Sequence, residues 1–131
     1  MKKAKLLNSE ISYEIAKLGH TQTLTIGDAG LPAPAGVKKI DLAVSGGVPG
    51  LLQVLDAVIS EMCVEQIYLA EETQEQSPQM HEEIVKRFPG IRVDYIRHEQ
   101  FKVMTRDTRA LIRTGETTPY SNVILVSGVT F

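Results

Sequence analysis

Ile40-Asp41-Leu42-Ala43-Val44, then Ser45-Gly46-Gly47-Val48-Pro49-Gly50, then Leu51-Leu52 with Leu55, Val58-Ile59 and Met62 follow one another without a break. The first five residues form a short, mostly aliphatic run that reads as a strand. The next six hold three glycines and a proline, which continue neither a strand nor a helix. The third set recurs three and four residues apart, the apolar stripe of an amphipathic helix. Strand, glycine turn and helix in this order make the repeating unit of an α/β fold.

Upstream, Asn8 or Ser9 is placed to cap a helix over residues 9–18, whose apolar positions are Ile11, Ile15 and Leu18. Gly19 is expected to end it in a left-handed turn. Thr23-Leu24-Thr25-Ile26-Gly27 alternates as a strand and stops at the breaker-rich Asp28-Ala29-Gly30-Leu31-Pro32-Ala33-Pro34. Downstream, Gln66-Ile67-Tyr68-Leu69-Ala70 reads as a strand. Ser77-Pro78 opens a helix that Phe88-Pro89-Gly90 closes, and residues 91–96 alternate as another strand. A short helix over residues 99–105 precedes two final strands, Ala110-Leu111-Ile112-Arg113 and Asn122-Val123-Ile124-Leu125-Val126, joined by a turn-rich loop. The pattern predicts one α/β domain over residues 1–131 with a largely parallel central sheet flanked by helices. The last pair of strands is left free to run antiparallel at one edge. No repeat or linker divides the chain.

The 131 residues are enough for one buried core. A charged fraction of 23% and a formal net charge of -2 give no reason to approach nucleic acid. The basic start lacks the apolar stretch of a signal peptide, and no run approaches membrane-spanning length. Cys63 is the single cysteine, so no intrachain disulfide forms and a reducing cytoplasm is the expected compartment. Its neighbours Val58, Ile59 and Met62 place it in an apolar helical stretch, where it is expected to pack rather than react.

Parallel sheets bind ligands at the carboxyl ends of their strands, so polar residues at strand exits are the first candidates. His20 follows the first helix, where a histidine also simply favours the helix dipole. Asp28 follows the first strand, between Gly27 and Gly30; its plainer role is an Asx turn. His98 follows the strand ending Tyr95-Ile96-Arg97 and is equally a neighbour of the next helix cap. Tyr120-Ser121-Asn122 opens the last strand with a phenol and an amide, or merely fills a turn. Together these make a set suited to a hydroxyl-rich ligand. The loop from Ser45 to Gly50 enters a helix and could hold a phosphate. It lacks the lysine and hydroxyl of a P-loop and the spacing of a dinucleotide site, so a phosphosugar or nucleotide binder is an alternative rather than the main reading. Glu71-Glu72 reads as a solvated acidic pair and His81 as a surface residue. No zinc-ligand spacing and no nucleophile elbow is present, and no cofactor is called for.

Leu18-Gly19-His20-Thr21, Asp28-Ala29-Gly30-Leu31-Pro32, Gly47-Val48-Pro49, His98-Glu99-Gln100-Phe101-Lys102, Gly115-Glu116, Pro119-Tyr120-Ser121-Asn122 and Gly128-Val129-Thr130-Phe131 together resemble the D-ribose pyranase family, which is related to the fucose mutarotases. The resemblance runs from about Leu7 to the last residue. It implies an isomerase that interconverts the β-pyranose and β-furanose forms of free D-ribose by acid–base ring opening and closure, without metal or cofactor. It implies that His20 is the proton donor and that Asp28, His98, Tyr120 and Asn122 bind the sugar. It also implies a homo-oligomer, a decamer of two stacked pentamers, with sites at subunit contacts. One position departs: the family usually has an acid two residues after the histidine, and this chain has Gln22. A non-catalytic sugar-binding module using the same pocket is the second alternative.

Overall fold

The computed structural model describes residues 1–131. Six strands form one sheet: β1 (Thr23–Gly27), β2 (Lys38–Asp41), β3 (Val64–Ala70), β4 (Arg92–Ile96), β5 (Ala110–Arg113) and β6 (Val123–Ser127), in the order β2-β5-β1-β6-β3-β4. The helices are α1 (Ser9–Lys17), α2 (Leu51–Ile59), α3 (Glu71–Gln76), α4 (Pro78–Lys86) and α5 (His98–Met104), the last followed by a 3-10 turn over Thr105–Asp107.

The largely parallel α/β sheet is as expected, but the antiparallel strand is not at an edge. β6 lies between β1 and β3 and runs against both, with Ile26 opposite Val123 and Ile67 opposite Leu125, while β5 pairs in parallel with β1 and β2. All five β6 residues are buried, as an interior strand covered on both faces requires.

The two-residue period of the strands sorts the core into two faces. Leu24, Ile26, Ile67, Leu69, Ala110, Ile112, Val123 and Leu125 point to the face covered by α1, α2 and α4. Leu111 and Ile124 point the other way, under Phe101 of α5 and Leu31 of the loop after β1. α2 buries Leu51, Val54, Leu55 and Val58. A fully buried aliphatic side chain contributes about 1.5–3 kcal/mol, so packing of this stripe holds a nine-residue helix that would be marginal alone.

Local chemistry shifts several boundaries. Asn8 caps α1, its Oδ1 accepting the Ile11 N–H at 2.9 Å. The left-handed residue beyond the helix is Thr21 (φ 68°), not Gly19. β2 ends at Asp41 rather than Val44, because the Asp41 carboxylate takes the Ala43 N–H at 3.1 Å and Val44 turns back to bond the Val48 carbonyl. α3 follows β3 directly, with no breaker to announce it. Cys63 lies beyond the end of α2 and is exposed rather than packed, its thiol on the Val129 carbonyl at 3.3 Å. No helix is long and apolar enough to cross a membrane.

Candidate active site at the strand ends

β6 runs against its neighbours, so its first residues lie with the last residues of β1, β3 and β5, and the loop before β6 meets the loop after β1. Asn122, almost fully buried, accepts the Asp28 N–H on Oδ1 at 2.8 Å and donates from Nδ2 to Asp28 Oδ2 at 3.1 Å. The other Asp28 oxygen accepts the Gly30 N–H at 2.9 Å, the Asx turn foreseen as its plainer role. Gly27 has no side chain because a Cβ there would lie 3.1 Å from Asn122 Oδ1 and 2.5 Å from Leu31 Cδ2.

Tyr120 sits in the left-handed region (φ 58°), a conformation that costs about 1–2 kcal/mol outside glycine. Two hydroxyls of the segment around α3 pin its loop: Thr73 Oγ1 donates to the Tyr120 carbonyl at 2.7 Å and Ser77 Oγ to the Pro119 carbonyl at 2.6 Å. The Tyr120 ring meets the edge of His98, with centroids 5.0 Å apart, and Phe101 stacks against His98 on another side at 6.2 Å. His98 Nδ1 and Ser121 Oγ are buried without a hydrogen-bond partner. An orphaned ring nitrogen costs free energy unless something bonds it, and in a ring packed against a phenol it suits a ligand hydroxyl. The residues foreseen at the exits of β1 and β4 and at the entry to β6 therefore converge.

His20 does not join them. It stands before β1, whereas Asp28 stands after it, and a five-residue strand separates its ends by about 16 Å. His20 Nε2 lies 2.9 Å from Glu65 Oε2. Gln22 turns its Oε1 to the Gly19 N–H at 2.9 Å. None of the cavities in the chain takes Asp28, His98, Tyr120 or Asn122 into its lining, so one chain alone does not enclose this half-buried cluster in a pocket.

Three acids that sequence reasoning set aside or did not single out support the architecture. Glu72 is no solvated acid: its Oε2 accepts the His98 N–H at 2.9 Å and so fixes the start of α5, while Glu71 pairs with Arg97 at 3.0 Å. Glu65 is the partner of His20. Glu116 fills the place considered for phosphate, with Oε2 on the Leu51 N–H at 3.0 Å and Oε1 on the N–H groups of Thr117 and Thr118. A ligand phosphate at the α2 N-terminus would have to displace this carboxylate, which removes the ground for the phosphosugar reading. His81, at the surface as expected, meets the Tyr95 hydroxyl at 2.7 Å. No three of the His, Cys, Asp and Glu side chains are grouped to hold a metal ion.

Burial pushes the Glu116 carboxyl up, but the N–H donors of Leu51, Thr118 and Thr117 and the Thr118 hydroxyl outweigh it, leaving the group below the usual glutamate range. A lowered native value means that its stabilisation is present above the unfolded-state value and is lost as pH falls through the native one. Glu116→Gln is therefore expected to lower Tm at pH 7 and to flatten the fall of Tm between pH 6 and pH 3. Thermal unfolding at both pH values checks this; a variant whose acid limb is as steep as the parent's removes Glu116 as its source.

The model of the RbsD / FucU transport protein family matches residues 1–130, and the chain belongs to that family. It is 51% identical over 131 residues to a D-ribose pyranase of Lactiplantibacillus plantarum, covering all of both chains. A D-ribose pyranase of Geobacillus thermodenitrificans is also 51% identical, with all of this chain and 99% of the relative covered. Among solved structures, Bacillus subtilis RbsD complexed with D-ribose superposes with a TM-score of 0.97 at 42% identity, over the whole of both chains. The fucose mutarotase of Streptococcus pneumoniae in complex with L-fucose shares the fold, with a TM-score of 0.80 at 21% identity and complete coverage of both.

Proposed function

We propose that this chain is a D-ribose pyranase, an isomerase that interconverts the pyranose and furanose forms of free D-ribose. The observation that carries the reading is end-to-end identity of 51% with relatives named for that activity, in a chain whose Asp28, His98, Tyr120 and Asn122 meet at the strand ends. Residues 1–131 act as one sugar-pyranase domain, and the cytoplasm is the compartment in which free ribose is handled.

Opening the pyranose needs one proton delivered and one removed. His20 protonates the ring oxygen as the C1–O5 bond breaks, a base takes the O1–H proton, and C1 becomes the aldehyde carbon. Closure reverses the traffic: O4 attacks C1 and gives up its proton while O1 regains one. Atoms and charge balance without a redox step. Asp28 accepts from sugar hydroxyls and is held in place by Asn122. His98 bonds a hydroxyl through its otherwise unpartnered Nδ1 and is the second candidate for proton exchange. The Tyr120 phenol bonds another.

The separation of His20 from this cluster favours a site shared between chains, the neighbour's copy supplying the histidine. A homodecamer of two stacked pentamers is the assembly proposed. Saturation-transfer NMR of ribose tests the activity: irradiating pyranose signals is expected to deplete furanose signals faster when the protein is present. Exchange no faster than in buffer, with ribose bound, would establish the non-catalytic sugar-binding module instead. Turnover is also expected to be unchanged by EDTA, and loss on chelation restored by one metal would refute the proton-only mechanism.

A further inference from the structure

We infer that Glu65 is the positioning residue of the proton donor: it holds His20 by Nε2 and leaves Nδ1 as the nitrogen that exchanges a proton with the sugar. This rests on His20 being the donor. The pairing of β3 with β6 shifts register between Val64 and Gln66, so Glu65 is the residue of the bulge. A bulge frees one residue from the alternation of the strand and re-aims its side chain, and such bulges gather beside active sites. Here the carboxylate reaches past the end of β6 to the turn before β1, at 2.9 Å from His20 Nε2.

The surroundings are built for that contact. Gly128 has no side chain where a Cβ would lie 3.2 Å from the Glu65 Cβ, and its N–H bonds the Cys63 carbonyl at 2.9 Å, so the chain after β6 passes close beneath the bulge. The turn that carries His20 is held from both sides. Thr21 (φ 68°) donates its N–H to the Ser127 carbonyl at 2.8 Å, and Gln22 closes the turn on Gly19. A left-handed threonine persists only where its surroundings impose it. Backbone and carboxylate together fix where the imidazole points, and no hydrogen bond engages Nδ1.

A carboxylate at Nε2 keeps that nitrogen protonated, so Nδ1 alternates between lone pair and N–H. It donates in the second state as the C1–O5 bond breaks and recovers a proton when the ring has closed. This is the arrangement of a base oriented by a third group. In an isolated chain the side chains are 53% and 41% exposed, and a surface pair adds little to stability, so removing the carboxylate will not unfold the protein.

The test compares Glu65→Ala, Glu65→Gln and His20→Ala by saturation-transfer exchange at several ribose concentrations, with native mass spectrometry of each assembly. An orienting partner on the far nitrogen of a metal-bound imidazole is worth about 10- to 100-fold, and Glu65→Ala is expected to lose kcat by at least about tenfold with KM within about twofold. Glu65→Gln keeps an acceptor for Nε2–H and is expected to recover most of that loss. Ribose added to the unmutated protein labelled with ¹⁵N at histidine is expected to move the His20 Nδ1 signal and leave Nε2 in place. An Nε2 response overturns the inference, as does a Glu65→Ala enzyme of full kcat beside an inactive His20→Ala, or a loss of kcat matched by loss of assembly. Near-native exchange in His20→Ala would instead overturn the role of His20 itself, a distinct result.

Discussion

His20→Ala will lower ring exchange by about 10²- to 10⁴-fold, the range that a positioned proton donor contributes, while the fold and the assembly survive. The expectation of survival comes from where the residue stands. His20 is exposed on a turn held by backbone bonds of Thr21 and Gln22, and its only side-chain partner is the exposed Glu65. Removing the imidazole therefore takes away no core contact. Exchange by saturation transfer, set beside Tm and native mass, separates the outcomes. A near-native rate would remove His20 from the chemistry, and inactivity accompanied by a collapsed assembly would make it a structural residue.

Mixing two inactive variants will restore activity to about a quarter of the parent value. If every site takes His20 from one chain and His98 from a neighbour, a random equal mixture of His20→Ala and His98→Ala subunits gives each position an even chance of its intact half, and about one site in four is complete. His98 is the better second variant than Asn122, because the Asn122 amide holds both the Asp28 N–H and the Asp28 carboxylate, whereas the His98 ring makes no hydrogen bond. The variants are unfolded together, refolded, and compared with each refolded alone at the same total concentration. A mixture as inactive as its parents, with mixed oligomers seen by mass spectrometry, would mean that each site is built within one chain.

What could be read from the sequence divides along physical lines. β1 and β5 are bounded to the residue, because alternation and the breakers after them are local. β2 moved because one side chain, Asp41, competes with the sheet for a backbone N–H. The place of β6 was misjudged although a clue existed: Val123-Ile124-Leu125-Val126 is apolar without alternation, the mark of a strand covered on both faces. That Asp28, His98, Tyr120 and Asn122 come together was legible because all four stand at strand exits and entries on one end of such a sheet, where ligand sites gather. Glu65, Glu72 and Glu116 were not, since their partners His20, His98 and Leu51 lie 45, 26 and 65 residues away, and no local pattern encodes such pairings.

The central position of β6 also sets an order on assembly. β2, β5 and β1 make one half of the sheet and β3 and β4 the other, and no ladder joins the halves except through Val123–Ser127. During synthesis both halves emerge first and must wait with an unpaired apolar edge each, since the wedge between them is translated last of the six strands. Closure is then a single late event spanning most of the chain's length, of the kind that slows folding and exposes intermediates to aggregation. The same event brings Asn122 to Asp28 and the Ser127 carbonyl to Thr21. A half-made chain thus has neither end of its site in order, and competence to bind sugar arrives together with the completed fold.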